Sequence, residues 1–145
     1  MTPRRHDERG SATPLIVGFA MILLLLVAVV VDASAAYLQR SGLSSIADGA
    51  ALAGTESVDV EDTYVSGLSS DPRLVAAEAE AAVAAYLREV GARGSHPGLR
   101  VTRLEVTEDR VTVRISAPLR LPLGMPGLGD ASTVASTGSA QLTTY

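Results

Sequence analysis

Asp32 and Ser34, in the stretch VVVDASAA, have the spacing that opens a D-x-S-x-S loop, in which side-chain oxygens hold a divalent cation. The third oxygen position is Ala36, so the cation would lose a ligand. The same stretch contains Ala33-Ser34-Ala35, a small-x-small sequence of the kind signal peptidase cuts. Further on, Glu56, Asp59, Glu61 and Asp62 cluster carboxylates that could attract Ca²⁺, but their spacing does not match an EF-hand loop and they read as a solvated acidic loop. The two imidazoles are His6, in the N-terminal tail, and His96, in the loop-like GARGSHPG, where a solvated side chain is expected. With no Cys there is no disulfide, thiolate nucleophile or Cys-based metal site. No nucleophile, base and orienting acid fall into a recognisable set, so the expectation is a non-enzymatic protein with no cofactor.

The element that positions Asp32 is an apolar run. No charged residue occurs from Gly10 to Val31, and Leu15 to Val31 is apolar throughout apart from Gly18. At about 1.5 Å per residue, Ala12 to Val31 as a helix reaches roughly 30 Å, the thickness of a bilayer core. Pro14 suits a first helical turn, because its missing N–H is not needed there. The expected anchor residues are Leu15, Ile16, Val17, Phe19, Ile22, Leu23, Leu24, Leu25, Leu26, Val27, Val29, Val30 and Val31. A buried strand of 17 residues would be too long, which counts against the cation-loop reading. Arg4, Arg5 and Arg9 precede the run and Asp32 follows it, so the positive-inside bias places the N-terminus in the cytoplasm and the rest outside the cell membrane.

Composition limits what the rest can be. All 12 cationic side chains are Arg, and from Asp32 onward nine of them face 14 acids. An acidic domain of this kind lacks the clustered positive charge that phosphate binding requires, so nucleic acid is not expected as a partner. Aromatic residues make up 3% of the chain, so the core must be built from Ala, Val, Leu and Ile.

Past Asp32, a stripe of Leu43, Ile46/Ala47, Ala50 and Ala53/Gly54 recurs at helical period, and the helix is expected to run unbroken to about Gly54. Small residues four apart, Gly49 with Ala53 and Ala50 with Gly54, allow another backbone to approach closely. That backbone belongs either to the rest of this chain or to a neighbouring subunit. A helix continuing through Ala33-Ser34-Ala35 favours a retained anchor. The alternative is a small secreted binding protein cleaved near Ala35.

Arg9-Gly10 before an apolar helix, followed by VVVDASAAYLQR and SSIADGAALAG, resembles the N-terminal region of Tad (tight adherence, Flp) pilus-assembly proteins of the TadE/TadG type. Members show R-G, a membrane helix, a V-D pair near its outer end, and an A-D-A/G-A-A-L-A-G run. Here these positions are Arg9, Gly10, Val31, Asp32, Ala47, Asp48, Gly49, Ala50, Ala51, Leu52, Ala53 and Gly54. The resemblance implies a minor, pilin-like, single-pass protein of the bacterial cell surface. It would work in Tad secretion beside a secretion ATPase and platform proteins. Prepilins carry Glu five residues after the processing Gly, whereas here that residue is Leu15, so the processing and docking role of the Glu is not carried over.

Thr55 to Asp71 reads as an acidic, Ser-rich loop. Asp71-Pro72 then gives an N-cap and first-turn proline for a second, amphipathic helix with Val75, Ala79, Ala82, Val83, Tyr86 and Val90 on one face, ending at Gly91. Val111, Val113 and Ile115 alternate with polar residues as a half-buried strand, Leu99 to Thr107 pairs with it through a turn at Glu108-Asp109, and Thr133 to Leu142 could add a third strand. Ala117 to Asp130 is Pro/Gly-rich and apolar, an ordered loop or contact surface. The expected fold is α+β and pilin-like: a long N-terminal helix with its first half transmembrane, a second helix, and an antiparallel sheet of two to three strands. Residues 1–12 form a cytoplasmic tail, 13–54 the transmembrane and continuing helix, and 55–145 the extracytoplasmic domain. The expected partners are the membrane and other pilus-assembly or platform proteins, with self-association an option that the small-residue stripe leaves open.

Overall fold

The structure, a computed structural model, describes residues 12–64, 72–107, 109–123 and 132–141, with the side chains of 59–64 and of Pro72 excepted. Helix α1 spans Ala12–Tyr64, 53 residues, or about 80 Å at 1.5 Å per residue. Helix α2 spans Pro72–Glu89, and a single turn, α3, spans Ala92–Ser95. Strands β1 (Arg100–Val106), β2 (Arg110–Pro118) and β3 (Thr133–Gln141) form an antiparallel sheet in the order β1-β2-β3. This is the expected α+β order.

The helix does not stop at Gly54. Thr55 to Tyr64, expected to be loop, continues α1. Ala51, Thr55 and Val58 extend the buried stripe at spacings of four and three, so tertiary burial outweighs the weak helix propensity of Thr, Ser and Val. The hydroxyls also turn inward: Thr55 Oγ1 donates to the Leu52 carbonyl at 2.7 Å and Ser57 Oγ to the Gly54 carbonyl at 2.9 Å, leaving the helical backbone bonds in place. The expected N-cap Asp71 lies outside the described residues, as do 65–70.

Helix α2 buries Ala79, Val83 and Leu87, with Val75, Ala82 and Tyr86 half-buried. Leu87 joins the face in place of Val90, which is exposed because the helix has ended one residue earlier. Gly91 takes a left-handed φ of 62° and turns the chain into α3, so the expected linker contains a helical turn. His96 is half-buried rather than solvated, because Gly42 of α1 leaves room for its ring: a Cβ there would lie 3.3 Å from the imidazole.

Strand β2 carries the alternation seen in the sequence. Val111, Val113, Ile115 and Ala117 are buried under the helices, and Arg114 faces out. The register of β1 against β2 slips between Val101 and Arg103, a bulge that accounts for the poorer alternation of β1. Thr107 and Arg110 exchange backbone bonds of 2.8 and 3.4 Å across the turn, of which Glu108 lies outside the described residues. One core joins Leu43, Ala47, Ala50 and Ala51 of α1, Val83 and Leu87 of α2, and the inner face of β2.

Candidate membrane anchor and juxtamembrane site

From Ala12 to Val31 no residue is buried. All thirteen large anchor side chains expected from the sequence are exposed, from Leu15 at 75% to Val31 at 40%. Moving that many apolar side chains out of water is worth on the order of 20 kcal/mol. The run is long and apolar enough to cross a membrane, and no part of it is buried in the protein. The N-terminal Arg4, Arg5, His6, Arg9 and Gly10 lie outside the described residues.

Past Val31 the same helix becomes a packing surface. Ala47 and Ala50 are fully buried, Gly54 is buried, Gly49 and Ala53 are half-buried, and Asp48 is exposed. The close approach that these small residues permit is made within the chain. A Cβ at Gly49 would collide with the Tyr86 hydroxyl of α2, and one at Gly54 would lie 3.0 Å from Val111 Cγ1 of β2. The tightest approach to another backbone involves Gly138 of β3, where a Cβ would run into the backbone of Ala47 and come within 2.5 Å of Asp48 N. Gly138 was not among the expected site residues. Its signal in the sequence is a lone Gly inside a strand pattern, which marks a close backbone approach.

Strand β2 and helix α1 run alongside one another in opposite directions. Gln39 meets Pro118 and Gly54 meets Val111. These contacts enclose 15 helical steps, about 22 Å, and seven strand steps, about 23 Å. Helix α2 is antiparallel to α1 as well, since Tyr86 lies at Gly49 and Val83 at Gly54.

Below Pro118 the chain runs on toward Val31. Gln39 Nε2 donates to the Pro118 carbonyl at 2.7 Å, and Gln39 Oε1 accepts from the Arg120 backbone N–H at 3.1 Å. One step lower, Asp32 Oδ1 accepts from the Leu123 N–H at 2.9 Å. Residues 119–123 therefore form a strap along α1, and Asp32 is the group that holds its lower end. Residues 124–130 of the expected contact loop lie outside the described residues. Ser34 Oγ donates to the Val30 carbonyl at 2.8 Å within the unbroken helix, so Asp32 and Ser34 face different partners and form no cation loop.

Elsewhere the described residues offer little for chemistry. A cleft of about 690 Å³ between α2 and β1 is rimmed by Glu80, Arg88, Arg93 and Arg100 over Val83 and Leu87. Among the described residues no three His, Cys, Asp or Glu side chains gather to hold a metal. Glu56 is exposed on the helix, and the side chains of Asp59, Glu61 and Asp62 lie outside the described residues.

Residues 10–58 match the family model described as putative Flp pilus-assembly TadE/G-like. The matched region is the apolar run together with the buried stripe, and it includes Gly10, Asp32 and Ala47 to Gly54. No curated protein and no solved structure matches the chain. The family match and the apolar helix fit a membrane protein related to Tad pilus assembly.

Proposed function

From a TadE/G-like region over residues 10–58, we propose that this chain is a single-pass, non-enzymatic component of a Tad/Flp-type pilus-assembly apparatus, minor-pilin-like in role. The N-terminus lies in the cytoplasm and the α+β domain outside the cell membrane, as the arginines before the run and Asp32 after it favour. The observation that carries the reading is the family match falling on a helix whose first twenty positions carry no charge and are nowhere buried.

Its partners are other pilus-assembly or platform proteins. The stripe from Ala47 to Gly54 is occupied by the chain's own sheet and second helix, so the surface left for a neighbour is the opposite side of α1. There Leu38 and Leu52 are 69% and 54% exposed. Leu38 and Leu52 are two heptads apart and share one side of the helix, as a lateral contact between helices would need.

The competing reading is a secreted protein cut near Ala35. Cleavage there would remove Asp32 and leave the Leu123 amide without its acceptor. The intact mass of the protein extracted from its host's membranes separates the two: the anchored reading expects the apolar run to be present, and a chain beginning near Ala36 would refute it. In a deletion strain, Leu38→Glu with Leu52→Glu should give a folded protein that fails to restore surface filaments.

A further inference from the structure

The strap formed by residues 119–123 fills the space between the folded domain and the end of the apolar run. Gln39 is seven residues above Asp32, about 10 Å along the helix, and the strap descends that distance from Pro118 to Leu123. Asp32 directly follows the last apolar residue of the run, so the Leu123 amide sits at the level where bilayer core gives way to headgroups.

The sequence of the strap suits that level. Arg120, the upper charged residue, is followed by Leu121, Pro122 and Leu123, with no charge among them, and Leu123 is 56% exposed. A basic residue above apolar ones is the order an interfacial segment presents to lipid. Most of its backbone donors are already paired. Leu119 N–H donates to the Ser132 carbonyl at 2.8 Å, Arg120 N–H to Gln39, and Leu123 N–H to Asp32, and Pro122 has no N–H to satisfy, which leaves the Leu121 N–H to the water and headgroups of an interfacial layer.

We propose that this strap is a second membrane contact, in which Leu123 and Pro122 seat in the interfacial layer of the bilayer that α1 crosses. Asp32 acts as a positioning residue that fixes the depth of the strap, so the α+β domain is held at one height and orientation on the lipid surface instead of swinging on a single helix. This rests on the reading of α1 as a membrane anchor.

The chain has no Trp, so one introduced indole reports on its own surroundings. Leu123→Trp, Phe19→Trp and Leu74→Trp are made in the full chain and reconstituted in phosphatidylcholine vesicles whose lipids carry bromine on the upper acyl chain. Leu74 lies near the far end of α2 and is exposed, so it serves as the distant reference. The expected result is quenching of Leu123→Trp and Phe19→Trp by about twofold or more, with emission shifted to the blue, and no quenching of Leu74→Trp. Adding Asp32→Ala to Leu123→Trp should reduce its quenching. Quenching of Phe19→Trp alone would overturn the strap proposal and leave the anchor standing. Failure of both would overturn the anchor reading with it, and equal quenching of Leu74→Trp would show adsorption of the whole surface and refute a specific strap contact.

Discussion

Gly138→Ala tests the packing of the sheet against the long helix most directly. The new methyl would overlap the Ala47 backbone and stand 2.5 Å from Asp48 N. Non-bonded carbon needs about 3.5 Å or more, so helix and strand must part by roughly 1 Å. Neither can yield locally, since Ala47 is in mid-helix and Gly138 is paired to Val113 in the sheet. A gap of that size forfeits a quarter to a half of the dispersion energy of each contact it opens, and the core it loosens holds Leu43, Ala47, Ala50, Val113 and Ile115. Overpacking of this kind costs about 3 kcal/mol. Replacing Gly in a strand recovers about 0.5–1 kcal/mol through the unfolded chain, leaving a net loss near 2 kcal/mol. Native-state hydrogen exchange of the Val113 and Ile115 amides in detergent-solubilised protein should therefore accelerate by about 30-fold. Gly94→Ala is the reference, because a Cβ there has nothing within 4 Å, and it should leave exchange unchanged. Equal protection in Gly138→Ala and wild type would refute the close approach.

Other substitutions probe the remaining contacts. Leu43→Ala empties a fully buried position and should cost about 3–5 kcal/mol, read as a lower denaturation midpoint with an unchanged m-value. Gly49→Ala and Tyr86→Leu should be non-additive in a double-mutant cycle, the second relieving most of the first, because the Cβ at residue 49 meets the tyrosine ring; additive costs would count against that contact. Gln39→Ala removes two exposed bonds to the strap, and trypsin should cut after Arg120 roughly 5- to 30-fold faster, matching about 1–2 kcal/mol of lost restraint. Ala50→Glu buries a charge in the core and should unfold the domain, read as loss of sheet signal in circular dichroism; a variant that keeps the wild-type spectrum would count against the burial of Ala50.

Much of this protein was legible because local rules and tertiary demands agree. The apolar run from Leu15 to Val31 is set by composition and length alone, as lipid solvation needs no knowledge of the rest of the chain. The alternation of Val111, Val113 and Ile115 identifies the central strand for the same reason: one face is buried whichever element covers it. Misreadings arose where burial overruled a local preference. The acidic, hydroxyl-rich stretch after Gly54 resembles a loop by composition, yet Thr55 and Val58 stay in the helix because they fall on its buried side.

The main elements, their order, the apolar run and the small-residue character of the stripe are readable from the chain alone, because these follow from periodicity and chain stiffness over a few residues. What each residue meets depends on the folded arrangement. Small residues at 47, 49, 50 and 54 permit a close neighbour without naming it, and the neighbours are Gly138, Tyr86 and Val111, brought there by chain closure over 37 residues or more. Asp32 behaves in the same way. One carboxylate at the end of an apolar run has no preferred partner in the sequence, and the fold supplies one 91 residues away in the amide of Leu123.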